Sequence, residues 1–112
     1  MRFDQLDAEH EYDAVWAHAS LIHVPMVSLG EVLTRVYRAL RPGGLHAATY
    51  KSGGQEGRDS QGRYYNYPSL DQLLAAYEQA GEWDIIHHSE YVGGGFENGS
   101  GPWAYVVLRR RV

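Results

Sequence analysis

The sequence predicts one α/β domain in which a mixed sheet of about four strands carries helices and ends in an antiparallel hairpin. Three observations predict this fold. Two segments have the three- and four-residue apolar spacing of amphipathic helices, short apolar runs flank the first of them, and two C-terminal apolar runs bracket a glycine-rich segment. This β-α-β-α-β order favours parallel strands joined by right-handed crossovers. A length of 112 residues suits a single domain over residues 1–112.

The two helices are predicted at Ser28–Leu40 and Ser69–Ala80, each with one apolar stripe. Both begin with a serine that is followed three residues later by Glu31 or Gln72, which is the pattern of a capping box. A Pro-Gly-Gly sequence follows the first helix and Gly81 follows the second, and these residues end helices.

Strands are predicted wherever short apolar runs lie between turn residues. The first two runs lack clean alternation, which is typical of strands covered on both faces. Val92–Pro102, rich in glycine, is predicted to be a long connection in the final hairpin, and Ser52–Pro68 a functional loop. The predicted strands are Tyr12–Ala17, Leu45–Lys51, Trp83–Tyr91 and Trp103–Arg109.

Composition excludes several classes of protein. The apolar fraction is 44% and the charged fraction 21%, as in ordinary globular domains, and the net charge of −4 disfavours a nucleic-acid partner. No apolar run approaches the roughly 20 residues of a membrane span, so we expect no membrane partner and a cytoplasmic protein. Cysteine is absent, and the six histidines lack metal-ligand spacing, so no metal site is predicted.

Four segments, in order, resemble the second half of the class I S-adenosylmethionine-dependent methyltransferases. They are YDAVWAHASLIHVP, LRPGGLHAATYK, RYYNYPSLDQLLAAYEQAGEWDII and WAYVVLRRR, and the upstream RFDQL resembles the stretch after the third strand of that fold. The nearest likeness is to the small-molecule group that includes the tellurite-resistance-type methyltransferases. The resemblance covers nearly the whole chain.

The resemblance implies a partial Rossmann-like methyltransferase fold, from a strand-three stub to strand seven. The sheet order is then the first strand, the second strand, the C-terminal strand and Trp83–Tyr91 at the far edge. S-adenosylmethionine is the implied cofactor. The glycine-rich loop that holds it in the family has no counterpart that can be assigned here, so we expect the isolated chain to be inactive and to bind the cofactor no more tightly than about 1 mM. The alternative is a non-catalytic α/β module for assembly or binding.

The resemblance also implies cofactor contacts. Phe3, Asp4 and Gln5 fall where the family contacts the adenine, and a solvated terminus is the alternative for Asp4. Ala17 and His18 end the first strand, where they face the methionine part of the cofactor or the substrate. His18 is a candidate general base, with an exposed turn residue as the alternative.

Five residues after the second strand are implied to lie on the substrate side. In the resembled enzymes this loop helps to cover the substrate, and arginine and tyrosine suit that position because they combine apolar area with directed polar groups. A tyrosine cluster that seals the sheet edge is an equally weighted alternative. The five residues are Lys51, Arg58, Arg63, Tyr64 and Tyr65.

The expected partners follow from the implied half-fold. The complete enzyme takes a small-molecule substrate. The Tyr12–Ala17 strand is central in the complete fold, and without its neighbour it presents unpaired backbone groups along one edge. We therefore expect a homodimer, or a complementing chain, at this edge.

Overall fold

The computed structural model describes residues 11–18, 21–52, 55–96 and 99–112. A short 3-10 turn, Leu21–His23, follows the first strand. The helices and strands, in chain order, are β1 (Tyr12–His18), α1 (Met26–Ala39), β2 (Leu40–Lys51), β3 (Gly57–Arg58), β4 (Tyr64–Tyr65), α2 (Leu70–Ala80), β5 (Trp83–Phe96) and β6 (Gly99–Arg110).

Four of the strands form one mixed sheet in the order β1-β2-β6-β5. β1 and β2 are parallel, while β6 is antiparallel to both β2 and β5. This arrangement confirms the predicted fold class and the predicted strand order. The structure adds a small antiparallel pair, β3 with β4, inside the segment expected to be a loop.

Helix α1 begins earlier than predicted, at Met26 with Pro25 as its N-cap, and the predicted capping box at Ser28 is wrong. The backbone N–H of Ser28 donates to the Pro25 carbonyl at 2.8 Å, because Ser28 already lies inside the first turn. Helix α2 has its predicted capping box, in which Ser69 and Gln72 bond to each other's backbone N–H groups.

The long connection predicted at Val92–Pro102 is also wrong. Pairing between β5 and β6 continues through Val92 with Pro102, Gly93 with Gly101 and Gly94 with Ser100 as far as Phe96 with Gly99. Glycine does not interrupt this ladder, because the ladder uses only backbone N–H and C=O groups. Both strands therefore extend as a ribbon beyond the last β2–β6 pair, Lys51 with Trp103.

The C-terminal arginines have structural partners. The Arg110 guanidinium donates to the carbonyls of Tyr37 and Leu40, both at 2.8 Å, at the C-terminal end of α1. Arg111 donates to a carboxylate oxygen of Asp84 at 2.8 Å. These contacts hold the end of the chain against α1 and β5, and a cation suits a helix C-terminus.

Three polar side chains form a network inside the helix-side core. His46 Nδ1 lies 3.0 Å from the Val15 carbonyl oxygen, and since a carbonyl only accepts, Nδ1 carries the proton. His46 Nε2 therefore accepts from the Tyr77 hydroxyl at 2.8 Å, and the Tyr50 hydroxyl donates to Tyr77 at 2.8 Å. Each of these three side chains therefore has a hydrogen-bond partner and is fully buried.

The same burial determines the titration of this network. Burial lowers the pKa of His46 to about 4, and the hydrogen bond to Val15 opposes that effect only partly. Burial raises the pKa of Tyr50 and of Tyr77 above the ordinary value. All three side chains are therefore neutral at neutral pH, as a low-dielectric interior requires.

Neither α1 nor α2 has the length and hydropathy that a membrane-crossing helix needs.

Candidate functional site

The carboxyl ends of the two parallel strands define the candidate site. β1 ends at His18 and β2 ends at Lys51, and His18 pairs with Thr49 in the register between them. The Ala17 side chain is fully buried in the core, so only its backbone is available to a ligand at this edge. Because the strands are parallel, their C-terminal ends lie side by side at one end of the sheet, which we call the carboxyl edge. This is where open α/β sheets bind ligands.

Lys51 is a buried cation at the end of β2. Its side chain is 4% exposed, and Nζ lies 4.2 Å from the centroid of the Tyr65 ring and 5.8 Å from that of Trp103. The negative faces of aromatic rings attract an ammonium group in this geometry. Lys51 therefore joins the end of β2 to β4 and to the base of the β5–β6 ribbon.

Arg58 and Arg63 both bond within the β3–β4 hairpin. Arg58 donates to the Gly62 carbonyl at 2.7 Å, and Arg63 Nε donates to Asp59 Oδ2 at 2.8 Å. Asp59 Oδ1 also accepts from the backbone N–H groups of Gln61 and Arg63, each at 2.9 Å. These bonds fix the hairpin turn and engage both guanidinium groups there.

Asn66 attaches this hairpin to the turn that follows β1. Its side-chain amide donates to the carbonyls of Leu21 and Val24 at 2.8 and 2.9 Å, and its backbone N–H donates to Ile22 at 2.8 Å. Asn66 is 1% exposed, and its Oδ1 has no hydrogen-bond partner among the described residues. The hairpin is thus anchored beside the end of β1.

His23, in the turn after β1, bonds and packs against β4. Its Nδ1 donates to the Tyr64 carbonyl at 2.6 Å, and its ring lies 4.7 Å from the ring of Tyr65. These two contacts add a second attachment between the turn after β1 and β4.

Glu56 connects the hairpin to the N-terminus of α1. One oxygen, Oε2, accepts from the Met26 backbone N–H at 2.8 Å and from the Tyr64 hydroxyl at 2.7 Å. The bond from Met26, with that from Tyr64, lowers the pKa of Glu56, and the same carboxylate raises the pKa of Tyr64. Glu56 therefore supplies the negative charge that the first turn of α1 lacks.

A shallow pocket of about 120 Å³ opens on the sheet face opposite the core network. Trp16 of β1 and Tyr105 of β6 form its walls over the small side chains of Ala47 and Thr49, and Ala48 completes the lining. Trp16 pairs with Ala47 and Tyr105 with Thr49, so the strand registers create this slot.

The structure brings together most of the predicted substrate-side residues. Lys51, Tyr64 and Tyr65 lie at the carboxyl edge, whereas the side chains of Arg58 and Arg63 fold back on their own hairpin. His18 ends β1 as predicted. Three predicted cofactor contacts, Phe3, Asp4 and Gln5, lie outside the described residues.

Three residues of this edge were missed from the sequence. Trp103 was assigned only as a strand residue, and its position beside Lys51 depends on a β2–β6 register that no local pattern encodes. Glu56 and Asn66 lie in the segment predicted to be a functional loop, whose composition does not predict which of its side chains reach α1 or the turn after β1. The structure shows no side-chain cap before Met26, which leaves its backbone N–H to an acceptor from elsewhere in the chain.

Among the described residues, no group of three or more histidine, aspartate or glutamate side chains is placed to hold a metal ion.

No protein-family model and no curated protein sequence matches the chain. Solved structures do match it. A SAM-dependent methyltransferase from Methanosarcina mazei aligns with 100% of the chain at 12% identity and a TM-score of 0.84. The 1,6-didemethyltoxoflavin-N1-methyltransferase of Burkholderia thailandensis aligns with 98% of it at 17% identity and a TM-score of 0.78.

The chain spans 66% of the Methanosarcina protein and 48% of the Burkholderia enzyme. A third match, the [4+2]-cyclase SpnF, has a TM-score of 0.73 at 16% identity, so the shared fold is compatible with more than one reaction. The chain therefore has the fold found in part of the SAM-dependent methyltransferases, over its whole described length.

Proposed function

We propose that the chain is part of an S-adenosylmethionine-dependent methyltransferase and that its carboxyl edge forms the acceptor side of the active site. The observation that carries this proposal is the match of the whole chain to structures of such enzymes. The Burkholderia enzyme was crystallised with 1,6-didemethyltoxoflavin and S-adenosylhomocysteine. By analogy, the carboxyl edge of this chain contributes to the binding of a small-molecule methyl acceptor.

The chemistry of the described residues suits the acceptor side of such a site. Lys51 Nζ lies 4.2 Å from the Tyr65 ring centroid and 5.8 Å from that of Trp103, so this buried cation and its aromatic partners hold in place the edge at which a flat or anionic small molecule would bind. Glu56 and Asp59 are the carboxylates of the neighbouring loop, and both are bonded within the protein. They do not supply a free acid for the ribose hydroxyls of the cofactor.

The proposed catalytic contribution of the chain is orientation. The bound cofactor supplies an activated methyl group, and in-line displacement needs few chemical side chains beyond those that position the acceptor. His18, at the end of β1, is the proposed general base, and the backbone of Ala17 lies beside it. Phe3, Asp4 and Gln5 remain the proposed contacts to the adenine.

A non-catalytic assembly or binding module is the second candidate function. The observation that favours it is the internal pairing of Arg58, Arg63 and Tyr64, which engages side chains that a substrate-covering loop would direct at its ligand. In that case the hairpin serves only to seal the carboxyl edge.

Titration of the isotope-labelled chain with S-adenosylhomocysteine, followed by amide NMR, tests the proposal. We expect binding no tighter than about 1 mM, equivalent to about 4 kcal/mol, because the chain supplies only one side of the site. Changes in amide chemical shift should be confined to residues at the carboxyl edge, such as Ala17 and Lys51. The amide of Ile86 on β5 should not change. ATP at the same concentration controls for general nucleotide binding.

The outcomes separate the two candidates. Absence of any chemical-shift change at the carboxyl edge, even at ligand concentrations several times the expected dissociation constant, would favour the assembly module over the methyltransferase proposal. Micromolar affinity would overturn the expectation that the chain supplies one side only. Lys51→Met should weaken the shifts, whereas Arg38→Met, an exposed site on α1, should leave them unchanged.

A further inference from the structure

β5 is the outer strand of the sheet on the side away from β1. Among the described residues it pairs only with β6. The strand order of the methyltransferase fold places the same strand at the far edge of a complete enzyme, so the complete fold exposes this edge too. Regular pairing with β6 runs from His87 to Gly94, between two register irregularities. The outward backbone groups of this regular stretch are a template for another strand.

Exposed apolar side chains concentrate on β5. Ile86 is 49% and Val92 75% exposed, and the alternation of a strand places both on one face with His88 and Glu90. His88 pairs with the buried Val106 of β6, so this is the face of the sheet that carries the helices. The exposed large apolar side chains of β5 are Ile85, Ile86, Tyr91 and Val92, which are half of those among the described residues.

This face of β5 is complementary to itself in one antiparallel register. A two-fold axis perpendicular to the sheet pairs side chains of the same face, so it passes through a residue rather than between two. When the axis passes through Ser89, His88 of each copy lies opposite Glu90 of the other. Ile86 then lies opposite Val92. An imidazole N–H donates to a carboxylate, and the two apolar side chains shield each other from water.

Neighbouring registers lack this complementarity. An axis at His87 would fall on the irregularity between Ile85 and His87. An axis through His88 sets Glu90 opposite the apolar Ile86, and an axis through Glu90 sets two carboxylates against each other. Like charges directly opposite destabilise a sheet. Among the registers clear of the irregularity, only the one with His88 opposite Glu90 pairs an imidazole with a carboxylate.

We propose that a second copy of this chain pairs with the β5 edge about Ser89 and joins the two sheets into one. A two-fold axis requires only one self-complementary surface, and β5 supplies it. The paired stretch is short, so the interface belongs to the small class and we expect a dissociation constant in the micromolar range. Tyr91, whose ring stacks on Trp103, lies within the paired stretch, so the second copy also supports the ribbon beside the carboxyl edge.

Light scattering across a micromolar concentration series tests the proposal. We expect twice the chain mass of 12.6 kDa at the upper end of the series. Val92→Glu should give the monomer mass throughout, because it sets a carboxylate opposite Ile86, and an unchanged circular dichroism spectrum would show that it folds. Val27→Glu, which replaces an exposed valine of α1, is the matched control and should remain dimeric.

Exchange of the two polar side chains tests the register. Glu90→Lys should weaken the dimer, because it removes the carboxylate that His88 of the other copy meets. His88→Glu should also weaken it, because it sets a carboxylate opposite Glu90. The double variant with both substitutions places opposite charges against each other again, so it should dimerise at least as tightly as the wild type.

Cysteine cross-linking locates the edge, since the chain contains no cysteine. Ser89→Cys should form a disulfide-linked dimer on mild oxidation, because the two Ser89 positions face each other across the axis. Tyr12→Cys, on the β1 edge, should not. A wild-type monomer at every concentration, a double variant without rescue, or cross-linking through Tyr12→Cys with none through Ser89→Cys would overturn the proposal.

Discussion

His46 should make the stability of this fold depend on pH, because the fold holds its imidazole in the neutral form. Nδ1 donates to the Val15 carbonyl and Nε2 accepts from Tyr77, so a second proton on the ring would reverse the bond to Tyr77 and bury a charge away from water. The pKa is near 6.5 in the unfolded chain, and burial lowers it to about 4 in the fold. Protons therefore bind the unfolded chain first.

The sign and size of the effect follow from this difference in pKa. The contribution of His46 to stability is fully present above pH 6.5 and is lost as the pH falls toward 4. The whole difference corresponds to about 3 kcal/mol, of which about 2 kcal/mol should be lost between pH 7 and pH 5. A loss of that size is a large fraction of the stability of a small domain.

Urea denaturation at pH 7 and pH 5, at one fixed protein concentration, measures this loss. His46→Gln keeps a polar side chain that does not titrate, so its free energy of unfolding should fall by about 2 kcal/mol less than that of the wild type. His87→Gln, on the exposed face of β5, controls for the loss of one histidine and should behave as the wild type does.

An NMR titration of the folded protein provides a second measurement that does not depend on a variant. The ring C–H resonances of His46 should stay at their neutral positions from pH 7 to pH 5. Protonation of His46 within that interval, or an equal loss of stability in the wild type and in His46→Gln, would refute the reasoning.

Two further predictions concern glycines. A Cβ at Gly93 would lie 2.7 Å from the Trp103 ring, so Gly93→Ala should destabilise the protein by about 1–3 kcal/mol and change its tryptophan fluorescence. Gly94→Ala is the control, because a Cβ at Gly94 would meet nothing closer than 3.9 Å, and it should lower the free energy of unfolding by less than half as much. Equal losses would contradict this account of the ribbon. Gly30 lies on the exposed face of α1 with open space around it, so Gly30→Ala should stabilise the protein by about 1 kcal/mol in thermal unfolding. A destabilised Gly30→Ala would contradict it.

The sequence by itself determined which elements form and in what order. The apolar stripes identified both helices within two residues at each end, and the capping box of Ser69 with Gln72 is present as predicted. These features depend on neighbours three and four residues apart, so local chemistry is sufficient to specify them. The position of Lys51 at the carboxyl edge followed from the parallel β-α-β order in the same way.

Only the tertiary structure decided which side chains meet. Trp103 lies beside Lys51 because of the register between β2 and β6, and Glu56 reaches the N-terminus of α1 across 30 residues of sequence. The ribbon beyond Tyr91 formed although its glycines suggested a loop, because its partner strand satisfies its backbone groups. The spacing of apolar residues predicts which side of a helix or strand is buried. Contacts between helices and strands depend instead on strand register and on segments that lie far apart in sequence.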